Sequence, residues 1–252
     1  MGKGNKKNRM ATDLTIPSRS RVWQMFDRIA DRYDPLNRLL SFGQDIRWRK
    51  KLVQLIPSGN VLQVLDIATG TGDQALSIVQ TRQDVAQVTG IDLAKMMLKK
   101  GMEKTEKLGL TGRIRLQEGD ACDLDFNDAS FDVVTISFGI RNVENLEAAL
   151  NQMYRVLRIN GVVLILEFSL PGNPLIRSFY LLYFRYILPF LGSIISGDKS
   201  AYRYLNETVE TFPFGDDFCN FLRRSGFHEV TSMPLTFGVV TIYRGIKQEI
   251  QD

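Results

Sequence analysis

Val61-Leu-Gln-Val-Leu-Asp-Ile-Ala-Thr-Gly-Thr-Gly-Asp73 is the stretch whose reading decides the fold. The apolar, β-branched run from Val61 to Ile67 reads as a strand buried on both faces. It collapses into a turn where Gly70 and Gly72 supply positive φ and a missing Cβ, so backbone can approach a ligand closely. From Asp73 onward, Gln74, Ala75, Leu76, Ile78 and Val79 predict a helix whose free N–H groups face whatever sits over the turn. A lone Gly-x-Gly fits an ordinary strand–helix connection equally well. The surrounding chain separates the two.

Downstream, strand and helix alternate. Ala86 to Ile91 is a second predicted strand, ending at Asp92, and Ala94 to Lys107 a helix. Arg113 to Gln117 leads as a strand to Gly119-Asp120-Ala121. Phe131 to Ile136 is a fourth strand, Leu146 to Leu157 its helix, and Gly161 to Leu166 a fifth strand before Glu167. Such alternation predicts a doubly wound α/β fold, with parallel strands and helices on both faces. A helix near Gly215 to Ser225 and strands at Phe227 to Ser232 and Thr236 to Tyr243 close the chain, the last two as an antiparallel hairpin at the sheet edge.

Upstream, residues 1 to 18 read as a basic, disordered tail, with Ser18 a cap for a helix carrying Val22, Trp23, Phe26, Ile29 and Ala30. Tyr33-Asp34-Pro35-Leu36-Asn37 should interrupt that helix, and a second amphipathic piece follows through Leu39, Leu40, Phe42, Ile46, Trp48 and Leu52. Residues 19–252 read as a single domain in which 19–58 form cover helices and 168–210 an apolar insertion. Within that insertion Pro174 to Ile195 is densely apolar and aromatic, but Arg177, Arg185 and Pro189 deny it the uninterrupted run a membrane span needs.

Composition excludes several classes. A net charge of +4 over 252 residues is too weak to argue for nucleic acid. Cys122 and Cys219 stand alone, against a disulfide framework or thiolate metal site, and the chain reads as cytoplasmic. His228 is the only histidine, so neither a His-rich metal centre nor a His-centred triad elsewhere is available. The N-terminus lacks the apolar core of a secretory signal.

Polar residues at the strand C-termini should share one crevice at the topological switch point. They are Asp66 to Asp73, Asp92, Asp120-Ala121 and Ser137 to Asn142. Asp92, 20 residues beyond Gly72, can accept both hydroxyls of a ribose or cap the next helix. Asp120-Ala121 suits an adenine edge or an ordinary turn. Gly70-x-Gly72-x-x-Ala75 also satisfies the dinucleotide fingerprint, so an NAD(P)-dependent oxidoreductase competes. Asp66 at the strand end, the missing Tyr-x-x-x-Lys pair and the antiparallel final strands favour adenosine with a sulfonium and an amino-acid tail.

At these residues the chain resembles class I S-adenosylmethionine-dependent methyltransferases, and more narrowly the UbiE-type family that methylates quinol rings in menaquinone and ubiquinone synthesis. Phe26-Asp-Arg-Ile-Ala-Asp-Arg-Tyr33-Asp34, Leu65 to Asp73, Thr135-Ile-Ser-Phe-Gly-Ile-Arg-Asn-Val143, Glu167-Phe-Ser169 and Tyr202-Arg-Tyr-Leu205 carry the likeness. The resemblance implies a Rossmann-like methyltransferase fold with an antiparallel last strand and S-adenosyl-L-methionine as methyl donor. It places Thr71, Asp92, Asp120, Ala121 and Ser137 at the cofactor, alongside Asp66 and Gly70 of the loop, and Tyr33, Arg141 and Asn142 at a prenylated quinol. Where the family usually carries histidine this chain has Asp45, and Arg158-Ile159-Asn160-Gly161 replaces a Lys-Pro-Gly-Gly turn.

The implied reaction is C-methylation of a hydroquinone, most directly demethylmenaquinol, without a metal. Arg141 and Asn142 are expected to stabilise phenolate charge and Tyr33 to relay a proton. Asp45 is either the base or an exposed helix aspartate paired with Arg49. The apolar 174–195 segment suits a membrane surface, a prenyl tail or a homodimer contact. A cofactor-binding scaffold without turnover is the remaining alternative.

Overall fold

The computed structural model describes residues 21–187 and 199–249, with backbone only for 199–203. The expected tail, the Ser18 cap and Pro189 lie outside the described residues. In chain order the elements are α1 (Val22–Leu40), α2 (Gln44–Val53), β1 (Leu62–Ile67), α3 (Asp73–Thr81), β2 (Val85–Asp92) and α4 (Lys95–Lys107). Then come β3 (Ile114–Glu118), β4 (Phe131–Ser137), α5 (Leu146–Val156), β5 (Leu157–Phe168), α6 (Pro174–Leu182), α7 (Lys199–Thr211), α8 (Asp216–Arg224), β6 (His228–Leu235) and β7 (Val240–Ile246).

The sheet runs β3-β2-β1-β4-β5-β7-β6. Strands β1 to β5 are parallel, and β7 enters antiparallel between β5 and β6. Strand order reverses at β1 and β4. Ile67 lies level with Ile91 on one side and Ile136 on the other, so three loops leave the sheet at one height. Alternate residues serve opposite layers: Val64 and Val133 pack with Trp48, Leu52 and Ile78 from α2 and α3, whereas Leu65 and Val134 pack with Leu150, Met153, Phe218 and Leu222 from α5 and α8.

A third cluster joins the N-terminal cover to the insertion. Val22, Met25 and Leu36 of α1 pack against Phe184 and against Tyr204 and Val209 of α7. After α6 the chain makes a π-helical turn over Tyr183–Ile187. Among the described residues no helix is long and apolar enough to cross a membrane.

Three expectations need correction. The helix does not break at Tyr33–Asn37; α1 runs through Pro35, and the break comes at Ser41–Gly43, where Gly43 has φ 72°. An interior proline costs about 3 kcal/mol of helix propensity, a cost offset by the burial of Leu36 and by Asp34 contacts to the glycine loop. Thr236–Gly238 is a 3-10 turn, so the last strand starts later, at Val240. β5 begins early, at Leu157, and absorbs Asn160 at φ 65°, the left-handed conformation that asparagine tolerates in place of glycine.

Candidate active site

The loops after β1, β2, β3 and β4 enclose a crevice of about 290 Å³ bordered by Gly70, Asp92, Asp120, Ala121, Ser137 and Asn142, and roofed from α1 by Trp23, Phe26 and Tyr33. Asp92 holds its floor together: Oδ2 accepts the Gly70 N–H at 2.8 Å and Oδ1 the Ala94 N–H at 2.8 Å. Both oxygens of this carboxylate are thus engaged by backbone N–H groups of the two loops, and burial pushes its pKa up. Asp120 likewise supports its own turn, accepting from the Cys122 N–H at 2.8 Å. Ala68 and Phe138 hold φ near 50° and 60° at the ends of β1 and β4, non-glycine residues in the left-handed region beside the crevice. A Cβ on Gly139 would lie 2.5 Å from that of Ala68, so the two loops close on each other only because Gly139 lacks one.

Gly70, at φ 57°, has open space where a Cβ would point, as expected of a backbone that a ligand approaches. Asp66 is fully buried and accepts the hydroxyls of Thr69 and Thr135, each at 2.6 Å. Burial pushes its pKa up to about 6 despite those bonds. Thr71 faces another way: its hydroxyl donates to Asp34 at 2.6 Å, within a cluster where Lys104 bonds Asp34 and Asp73 and Arg38 bonds Asp73. Thr71 thus fastens α1 to the glycine loop and lies outside the adenosine crevice, although it borders a small chamber under the turn.

That chamber also brings in Arg49 and Gln74, two residues that sequence reasoning missed. In the sequence Arg49 stands only as a partner for an exposed Asp45, and Gln74 only as one residue of the helix after the glycine turn. Nothing in their spacing marks them, because burial by distant elements makes them special.

A second cavity, of about 250 Å³, opens on the other side of Tyr33 and Phe138 and is walled mainly by apolar and aromatic side chains of α1, α2, α6 and the π turn. Arg141 lies in its wall, with Nη1 donating to Glu167 at 2.5 Å and to the Phe138 carbonyl at 2.9 Å. Its guanidinium carbon is 5.3 Å from the Phe168 ring centre. Nε of Arg141 and the hydroxyl of Tyr180 are buried there without a hydrogen-bond partner among the described residues. Tyr180, another missed residue, was hidden within the apolar segment. Tyr33 borders both cavities and the chamber, and burial raises its pKa.

Two site expectations change. Asn142 borders the crevice and not the apolar cavity; its Oδ1 accepts from the Tyr204 hydroxyl at 3.1 Å, and Tyr204 is what reaches the cavity. Asp45 is buried and borders the apolar cavity, bonded by Ser41 at 2.9 Å and ion-paired with Arg38, not exposed and paired with Arg49. Helix α2 starts only one residue before it, so Asp45 meets the end of α1 and not the next turn of its own helix.

The residues present fit S-adenosyl-L-methionine, with a crevice for the nucleoside, acceptors at Asp92 and Asp120, and buried unpartnered donors under the glycine turn. The ubiE/COQ5 methyltransferase family matches residues 15–247. The chain is 46% identical over 221 residues to a demethylmenaquinone methyltransferase of Thermus thermophilus, covering 88% of this chain and 99% of that one. It is 43% identical over 230 residues to the ubiquinone/menaquinone biosynthesis C-methyltransferase UbiE of Geotalea daltonii, covering 90% and 96%. A SAM-dependent methyltransferase from Thermotoga maritima shares the fold with a TM-score of 0.64 at 19% identity, over 90% of this chain and 99% of that one. These matches set aside the nicotinamide alternative: the chain belongs to the ubiE/COQ5 methyltransferase family and is an S-adenosyl-L-methionine-dependent methyltransferase.

Proposed function

We propose that the chain methylates a ring carbon of a polyprenylated quinol, converting demethylmenaquinol to menaquinol, with the benzoquinol of the ubiquinone pathway as the second ring to test. The observation that carries this reading is the pair of unpartnered buried donors, Arg141 Nε and the Tyr180 hydroxyl, in a cavity otherwise largely hydrocarbon. An oxygen-bearing ring satisfies both, and its faces and tail match the walls. The names of the relatives point the same way.

The donor supplies an electrophilic methyl group on cationic sulfur. A ring hydroxyl must release its proton so that the adjacent carbon becomes nucleophilic. Among the described residues Asp45 is the one carboxylate bordering the apolar cavity, and it takes that proton. Arg141, held by Glu167, stabilises the negative oxygen. Tyr33, kept protonated by its raised pKa, relays hydrogen bonds between the two cavities. The carbon–carbon bond forms as the sulfur–carbon bond breaks, and the ring then loses its displaced hydrogen as a proton. Asn142 acts through Tyr204, on the ring side of the crevice.

The test is turnover of a short-chain 2-prenyl-1,4-naphthoquinol with methyl-labelled donor. Asp45→Asn should lower kcat by roughly 10²- to 10⁴-fold and remove the acidic limb of the pH profile while donor affinity holds. Donor binding without ring methylation, or full activity in Arg141→Met, would sink the reading. The insoluble tail also calls for a surface: Leu175, Phe179 and Leu182 of α6 are exposed, as are Tyr186 and the cavity-edge Phe42. We assign this face to peripheral contact with the membrane that carries the quinol. Flotation with anionic liposomes at low salt checks it, and a stable homodimer that stays off the vesicles would reassign the face.

A further inference from the structure

Behind the apolar cavity five charged side chains form one run of contacts from Asp45 to the glycine loop. Arg38, in the last turn of α1, pairs through Nη1 with Asp45 Oδ2 and donates through Nη2 to Asp73 Oδ2 at 2.8 Å. Lys104 of α4 donates to Asp73 Oδ1 at 2.7 Å and to Asp34 Oδ2 at 2.8 Å. Three carboxylates thus share two cations, and Arg38 alone of the five links Asp45 to Asp73, where α3 begins. Asp45 borders the cavity and Arg38 does not, so Arg38 reaches the ring only through Asp45.

A carboxylate beside a hydrocarbon cavity tends to keep its proton, because burial disfavours the charged form, and a protonated acid takes nothing from a ring hydroxyl. Three contacts oppose this at Asp45. Ser41 donates its hydroxyl to Oδ1 at 2.9 Å, the N-terminus of α2 favours a negative charge, and Arg38 supplies the opposite charge at Oδ2. The other ionisable groups at this cavity, among the described residues, are Arg49 of α2, Arg141 after β4 and the tyrosines at 33, 180, 183 and 204. Arg141 is engaged by Glu167 and Arg49 lies against the Phe138 ring, which leaves Arg38 as the cation paired with Asp45. We propose that Arg38 is the positioning residue of the ring deprotonation: it holds Asp45 charged and fixed in the cavity wall and fastens it to the helix that follows the glycine turn. The proton passes from the ring oxygen to Asp45, and Arg38 keeps its own throughout. A guanidinium presents one nitrogen to each carboxylate from a fixed plane; a lysine ammonium at 38 restores the charge without that geometry.

This role rests on Asp45 being the base, and the variants separate the two claims. The pH profile of kcat/KM is measured on the full chain, for methylation of a short-chain 2-prenyl-1,4-naphthoquinol. Arg38→Met should move the acidic limb up by about 1–3 pH units, with activity recovering at higher pH. Arg38→Lys should bring the limb most of the way back while kcat stays below wild type. Asp73→Asn removes the carboxylate that competes for Arg38 and should move the limb down, by about one pH unit or less. Shifts of opposite sign do not come from a loosened fold, and the Asp73→Asn profile decides alone if Arg38→Met does not fold. A limb within about 0.3 pH unit of wild type in Arg38→Met, or one that fails to fall in Asp73→Asn, would overturn the role of Arg38. A limb that persists unchanged in Asp45→Asn would instead remove the base, and the reading of the ring site with it.

Discussion

Replacing Glu167 with glutamine should cost this fold more than almost any other isosteric change. Glu167 is fully buried, with Oε1 accepting from Arg141 Nη1 at 2.5 Å and from the Phe168 N–H at 2.8 Å, and Oε2 from the Arg141 backbone N–H at 3.3 Å. An amide keeps one acceptor, loses the charge, and turns an N–H₂ toward a donor. Removing one partner of a buried ion pair costs about 3–5 kcal/mol; the surviving acceptor argues for the lower end. For a chain of this size that is a fall in Tm of roughly 6–12 °C, read by scanning calorimetry. Arg141→Met alone should also destabilise, but the double variant should regain part of the loss, because neither charge is then left alone. A Tm within about 2 °C of wild type for Glu167→Gln, or a double variant showing the plain sum of the single losses, would refute the reasoning.

Other outcomes follow from the site. Asp66 has a folded pKa near 6 against an ordinary 3.8, so the folded state keeps a proton that the unfolded chain has released; wild-type stability should fall between those pH values. Asp66→Asn should consequently gain about 2 kcal/mol relative to wild type between pH 4 and pH 7, by denaturant unfolding at both; a constant difference would contradict the burial argument. Gly139→Ala places a methyl group 2.5 Å from the Ala68 Cβ and should cost about 1–3 kcal/mol while weakening the donor. Asp34→Ala frees the Thr71 hydroxyl and one bond of Lys104, so amide exchange across Gly70–Gln74 should accelerate, with about 1–2 kcal/mol lost.

What the chain alone determined is local and periodic. The β-branched run ending at Ile67, the glycines at 70 and 72 and the alternation through Glu167 are properties of neighbouring residues, so element type and strand direction were legible, and with them a shared crevice for Asp92, Asp120, Ala121 and Ser137. The Ser-Phe-Gly-Ile-Arg-Asn run was legible as a family signature. Tertiary structure decided whatever depends on residues far apart in sequence. Pro35 stays helical because Asp34 and Leu36 are held by the glycine loop and the core. Asp45 finds Arg38, and β7 finds the gap between β5 and β6. Arg49, Gln74 and Tyr180 carry no mark in the sequence because exposure is free on an isolated helix; their chemistry comes from desolvation, which only the assembled layers impose.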